Sequence, residues 1–250
     1  VYTEIKFQCE IFCSSVCCGG ATILTANEIG RLFKFFPITA GFRKIHPVSS
    51  SHKVYLQDFA IVYGGFYIIG DFIAGNRLKR RCRMLKESLC SIHGELKPLQ
   101  CRIIPFSVTF PEDFQALVIA EKRKGAFRAC KGFKEKAPLV WNGQLIEPEL
   151  KENFYKLREN LIFQRNMMEK IFFSFKNTPQ FKKFINAEEG LFEVPLLPEV
   201  IDEICEITGI QNRTEFLKVQ KTLFINELVA GGIKNSLFID ALNAIERFKI

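Results

Sequence analysis

Four cysteines crowd the first eighteen residues, Cys9, Cys13, Cys17 and Cys18, and four more follow at Cys82, Cys90, Cys101 and Cys130. Thiolate is a soft donor, so this set suits Zn²⁺, iron or an iron–sulfur cluster and excludes Mg²⁺ and Ca²⁺ as natural occupants. Side chains of consecutive residues diverge, so Cys17 and Cys18 fit two neighbouring sites more readily than one tetrahedron. Eight thiols suffice for two four-ligand sites, or for one cluster of the 4Fe-4S type plus a zinc. Disulfides and unligated thiols are the competing readings. An odd total of nine cysteines, the adjacent pair and the lack of a basic-then-apolar layout in residues 1–10 favour ligation in a reducing, cytoplasmic setting. Paired C-x2-C zinc knuckles are missing, and Cys9-x3-Cys13-x3-Cys17 is one residue longer than the C-x3-C-x2-C triplet of radical chemistry. His46 and His52 sit in the polar run 45–53 without a cysteine at finger-like spacing, and read as solvated loop residues. Cys205 stands alone on an apolar helical face and reads as core.

The elements that must position these thiols follow from local signals. Gly19–Gly20 gives a turn after the first cluster, and Thr25-Ala-Asn-Glu28 reads as a capping box opening a helix that stops at Pro37, with Ile29, Leu32, Phe33 and Phe36 inward. The apolar run from Val54 to Ile73, with Gly64–Gly65 in its middle, predicts a hairpin of Val54–Tyr63 and Phe66–Ile73. A turn at Gly75–Asn76 leads into a basic strand carrying Cys82 among Arg77, Lys79, Arg80, Arg81 and Arg83. Gly94 and Pro98 break the segment between Cys90 and Cys101, which places these two on a short strand and the turn after it. Residues 114–120 read as a strand and Pro138 to Gly143 as a linker holding the single Trp141. Beyond it the pattern is helical. Pro148 opens a long helix with Leu150, Phe154, Leu157, Leu161, Met168, Ile171 and Phe175 on one face, and Pro198 opens another with Val200, Ile201, Ile204 and Cys205 inward. Further helices are expected from about Thr214 to Ala230 and from Ser236 to Phe248.

Hydrophobic residues make up 48% and charged residues 25%, a globular balance that excludes disorder, and the 26 phenylalanines fall at spacings that fill a core. The longest apolar run, Phe59 to Gly70, is bounded by Asp58 and Asp71 and is too short for a membrane span of about 20 residues. No glycine-rich phosphate loop or dinucleotide fingerprint occurs. Of the formal +8 charge, residues 1–140 carry 21 Lys and Arg against 11 acids, while residues 141–250 carry 14 against 16. The basic half has two explanations. It offsets the negative charge of a thiolate-bound metal, or it meets an anionic ligand, with Arg77–Arg83 as the candidate strip.

The cysteine order resembles that of the YkgJ-type cysteine-cluster family, described as zinc- or iron-chelating and related to the flagellin lysine methylases. The resemblance rests on the run Cys9 to Cys18 ending in a Cys pair and on Leu24-Thr25-Ala-Asn-Glu28-Ile29. It continues through Cys90-Ser-Ile-His93-x3-Lys97-Pro98-x2-Cys101-Arg102-x2-Pro105-Phe106. Cys82 stands where the family has a cysteine before this block, and Cys130-Lys-Gly132 resembles its later Cys-Pro-Gly. His93 replaces a Tyr, Lys97 an Arg, and the first gaps are longer. The match covers roughly residues 5–135. It implies a metal or iron–sulfur site built from these cysteines and, through the related methylases, an enzymatic alternative.

Together these observations predict an α+β chain. Residues 1–140 form a small, irregular, cysteine-rich metal domain with short antiparallel strands, and residues 141–250 an all-helical region. The expected function is metal binding, redox or structural, through Cys9, Cys13, Cys17, Cys18, Cys82, Cys90, Cys101 and Cys130, with the helical region as platform for a protein partner or substrate. Two alternatives stay open. One is a lysine N-methyltransferase-like enzyme, although no S-adenosylmethionine pocket is legible; the other is a zinc-stapled basic module that binds nucleic acid through Arg77–Arg83 and Lys122–Lys124.

Overall fold

The structure, a computed structural model, describes residues 2–9, 17, 22–74, 82–87, 89–125, 127–231 and 236–247. Cys13, Cys18, Gly19–Gly20, Gly75–Asn76, Arg77, Lys79, Arg80 and Arg81 lie outside the described residues. In chain order the first elements are β1 (Ile5–Lys6), β2 (Thr22–Leu24), α1 (Ala26–Leu32), β3 (Ile38–Ile45), α2 (Ser50–Gln57), β4 (Ile61–Tyr63), β5 (Phe66–Ala74), β6 (Leu85–Lys86) and β7 (Leu89–Cys90). There follow α3 (Leu99–Arg102), α4 (Gln115–Lys124), β8 (Leu139–Trp141), α5 (Pro148–Ser174), α6 (Pro179–Asn186), β9 (Leu191–Val194), α7 (Pro198–Thr208), α8 (Arg213–Gly231) and α9 (Ser236–Arg247). The chain is mixed α and β with short antiparallel strands and a mainly helical C-terminal region.

The main sheet runs β2-β5-β3-β9, with β4 also paired to β5, and every pairing is antiparallel. One edge of β5 thus serves two short strands, β4 at its start and β2 at its end, while its other edge pairs along its length with β3. Gly64 and Gly65, at φ +57° and +83°, make the tight β4–β5 turn as the sequence indicates. Alternate residues of β5 enter two different cores. Ile68 and Phe72 face one with Phe42, Met168, Ile171 and Phe172; Tyr67 and Ile69 face another with Leu99, Ile103, Phe106, Trp141, Phe154 and Leu157. In the first, Phe42, Phe172, Phe181 and Phe192 interlock in sequence at ring-centre distances of 5.2, 4.8 and 5.7 Å. α5 passes from one core to the other and crosses the sheet at Gly70. A Cβ built there would lie 2.6 Å from the Met168 Cβ, so only glycine admits the helix this closely.

Several expectations are corrected. Residues 54–57 belong to α2, not to a strand. Ser49 caps the helix by accepting the His52 N–H at 3.0 Å, and only His52 and Leu56, four residues apart, are buried. β propensity at Val54 and Tyr55 is overridden because Val54 faces solvent. Residues 115–120 likewise form α4, which buries Gln115, Ala116, Val118 and Ile119 and leaves Leu117 exposed. The Gln115 amide accepts the Ser107 N–H and donates to the carbonyls of Ser107 and Phe110, folding the preceding loop onto the helix start. Residues 139–141, read as linker, form β8 against β1, with the Trp141 Nε1–H donating to the Glu112 carbonyl at 2.8 Å.

The C-terminal region is not all-helical. β9 adds to β3, and Lys44 of β3 donates to the Ile185 carbonyl at 2.8 Å, holding α6 beside the sheet. Both cores draw residues from either side of position 140. The helices opened by Pro148 and Pro198 begin where expected, and Cys205 is buried in the first core.

His52 is no solvated loop residue. It is fully buried, its Nδ1 accepts the Val48 N–H at 3.2 Å, its Nε2 lies 2.9 Å from the Thr109 carbonyl, and its ring sits against Phe110 and Phe114. These partners define a neutral ring with the proton on Nε2. Burial holds its pKa below the usual 6.5 despite the Thr109 carbonyl and Asp113. Below about pH 6.5 the unfolded chain therefore binds a proton that the folded chain refuses, and stability declines as pH falls. The thermal midpoint is expected to drop between pH 7.5 and 5.5, and calorimetry should find a shallower drop in His52→Gln. Gly70→Ala should cost about 1–3 kcal/mol by forcing α5 from the sheet, measured by urea unfolding.

Candidate metal centre

The joint on which the thiol-bearing segments meet is a buried carboxylate. Glu28, in the first turn of α1, reaches back to accept the Thr25 N–H at 2.9 Å and the Thr25 hydroxyl at 3.0 Å through one oxygen. Its other oxygen accepts the Leu99 N–H at 2.7 Å. Glu28 is 2% exposed, so these bonds form away from water, where leaving their polar atoms unpaired would cost most. The capping box expected from the sequence exists, and it holds two helix starts, α1 and α3, across 71 positions of chain. Arg102 closes the loop before α3 by donating from Nε to the Lys97 carbonyl and from Nη2 to the Gly94 carbonyl, at 2.9 and 2.6 Å. Arg31 of α1 donates to the Glu95 carbonyl at 2.9 Å, so the loop is tied to the same helix.

Cys101 rides on α3, and Cys90 on β7, opposite Leu85 of β6. Cys82 precedes this hairpin, its carbonyl accepting the Leu85 N–H at 3.0 Å and its sulfur lying 3.9 Å from the Thr22 hydroxyl of β2. The first core also touches Cys82 and Cys90. Burial pushes the Cys101 thiol up to about 12, reinforced by Cys82, Cys17 and Cys90 and opposed by Lys97. The Cys82 thiol is also raised, chiefly by burial and further by Cys90, against a Met84 backbone hydrogen bond, the Thr22 hydroxyl and Arg83. Cys17, Cys101 and the two thiols of the hairpin, Cys82 and Cys90, thus influence one another electrostatically. At neutral pH the two raised thiols are protonated; a soft cation would replace those protons and offset the repulsion.

Cys9 and Cys130 belong to a different pair of segments. The Gln8 N–H donates to the Gly132 carbonyl at 3.0 Å and the Phe7 N–H to Pro138, running the Cys9 segment beside the Cys130 loop. A Cβ at Gly132 would lie 2.5 Å from the Phe7 ring, so the approach needs glycine. Cys9 is exposed and Cys130 half-buried against the second core. Among the described residues no three of His, Cys, Asp and Glu are arranged to hold an ion together. By donor type the thiols suit a thiophilic metal; Cys13 and Cys18, two of the eight expected ligands, lie outside the described residues.

Of the cations expected to face an anion, those among the described residues, Arg83 and Lys122–Lys124, are engaged within the protein. Arg83 stands 3.1 Å from the carboxylate of Glu227 on α8, a residue only 6% exposed. Lys122 donates to the carbonyls of Pro105 and Phe106 at 2.9 and 3.2 Å, and burial lowers its pKa to about 8. Arg123 lies over the Phe133 ring and Lys124 pairs with Glu121. Sequence reasoning missed the long-range role of Glu28 and the Arg83–Glu227 pair. The first had a visible signal in the Thr25-x-x-Glu28 spacing; the second, between residues 144 positions apart, had none.

No protein-family model matches the chain, and neither does any curated protein or solved structure. Glu28→Ala strips the acceptor from two buried backbone N–H groups and is expected to cost about 2–4 kcal/mol. In hydrogen exchange, the Leu99 and Thr25 amides should lose protection more than amides of α7. Unchanged protection at Leu99 would show that Glu28 does not hold the joint.

Proposed function

We propose that the chain is a metal-binding protein that carries an iron–sulfur cluster, of the 4Fe-4S type, and/or zinc through its cysteines, in a redox or structural role. The observation that supports this most is the mutual electrostatic influence of Cys17, Cys82, Cys90 and Cys101, drawn from three segments, with Cys101 on the Glu28-locked α3. Thiols in contact with a core could have been replaced by apolar side chains if packing were their only task. A bound soft cation would take the place of the thiol protons and let these sulfurs act as thiolates without mutual repulsion. In this reading these four form one ligand set, and Cys9, Cys13, Cys18 and Cys130 supply the remaining thiols. Zinc would act as a staple; a cluster would add electron transfer.

The division of labour follows the chain. Residues 1–140 bring the thiols, and residues 141–250 brace the sheet behind them and offer a surface to a protein partner or substrate. The protein works in a reducing, cytoplasmic compartment, where free thiols persist as ligands. No helix among the described residues is long and apolar enough to cross a membrane.

Protein purified without oxygen should contain either iron with acid-labile sulfide, and be brown, or stoichiometric zinc. Cys101→Ser and Cys17→Ser should lose most of that metal, whereas Cys205→Ala, altered in the first core but outside the proposed ligand set, should keep it. Metal-free protein with every thiol alkylated at the same rate would remove the proposal.

A further inference from the structure

Thr22 opens β2 and pairs with Ala74 of β5, so a strand ladder fixes its position. The residue is 9% exposed. Among the described residues its hydroxyl has one hydrogen-bond partner, the Cys82 sulfur, 3.9 Å away and 60 positions along the chain. A buried hydroxyl is satisfied by the acceptor it finds, and here that acceptor is a cysteine. The same sulfur accepts a second hydrogen bond, from the Met84 N–H two residues on. That N–H belongs to the turn in which the Leu85 N–H donates to the Cys82 carbonyl at 3.0 Å. Arg83, between Cys82 and Met84 in the chain, is paired with Glu227. Two neutral donors therefore serve one sulfur.

Sulfur is a weak acceptor as a thiol, and hydrogen bonds to an ionised acceptor are about twice as strong as those between neutral groups. Donors held on Cys82 thus favour its deprotonated state, which is the state a soft metal requires. Packing does not account for the hydroxyl. Valine has the same branching, suits a strand, and would bury no polar atom at this position.

We infer that Thr22 is a positioning residue of the thiol site, its hydroxyl donating to the Cys82 thiolate and raising the affinity for a soft cation. The inference rests on the metal-binding reading above and adds to it a residue that is not itself a ligand. The hydroxyl gains most when the sulfur carries charge, so its contribution lies in metal binding more than in the fold. Valine keeps the branched shape and loses the donor, whereas serine keeps the donor and loses the methyl group. The two variants separate hydrogen bonding from packing.

The probe is Cd²⁺, loaded without oxygen into the reduced whole chain. Its hold on Cys82 is followed by mass spectrometry as protection from iodoacetamide while a competing chelator is added. Thr22→Val is expected to lose this protection at about tenfold less chelator, the lower end of what loss of a hydrogen bond to a metal ligand costs, with Thr22→Ser staying near the wild type. Thr22→Ala removes the donor a second way and should weaken binding at least as much, and circular dichroism will verify the folds. Protection in Thr22→Val equal to the wild type would overturn the inference and leave the metal reading standing. A Thr22→Ser as weak as Thr22→Val would assign the effect to packing and overturn it too. Cys82 left unprotected by Cd²⁺ in the wild type would overturn both the inference and the place of Cys82 in the ligand set.

Discussion

The Glu28 carboxylate is the constraint on which the thiol-bearing half depends. A buried acidic side chain is costly unless its oxygens are filled, and here both are, by Thr25 on one side and by Leu99 on the other. Because Thr25 starts α1 and Leu99 starts α3, one side chain sets the distance between two helices that the sequence separates by a sheet and a hairpin. Cys101 lies two residues beyond Leu99, and Thr22, three before Thr25, reaches Cys82. Loss of the Glu28 bonds would release both thiols from their common frame. Arg31 and Arg102 act on the same loop through its carbonyls, so the approach to Cys101 is fixed without any regular element between residues 91 and 98.

Behind this joint, β5 distributes the packing. Its alternating side chains feed two cores, and α5 serves both because Gly70 lets it cross the sheet. The return of β9 to β3 stitches the helical region onto the sheet. The Arg83–Glu227 pair adds a direct tie from the Cys82 segment to α8.

Signals that act within one turn of chain were legible. Thr25 with Glu28, Pro148 and Pro198 all mark helix starts because a cap or a fixed φ works locally. The Gly64–Gly65 turn was legible for the same reason. Choices decided by burial were not. Val54 and Leu117 look like strand residues but face solvent, and the helices they belong to exist because His52 and Leu56, or Ala116 and Ile119, found a core. β8 and β9 are short strands whose partners lie more than a hundred residues away, beyond any periodicity. Residue type marked the cysteines as a group, whereas their sorting into Cys17, Cys82, Cys90 and Cys101 on one side and Cys9 and Cys130 on another depends on tertiary contacts that spacing does not encode.

X-ray absorption at the iron and zinc edges, on protein isolated without oxygen, tests the central claim most directly. A first shell of sulfur at about 2.3 Å, reduced in Cys101→Ser, is the expected result. A shell of only nitrogen and oxygen, or one unaltered by that substitution, would contradict a metal held by the gathered thiols.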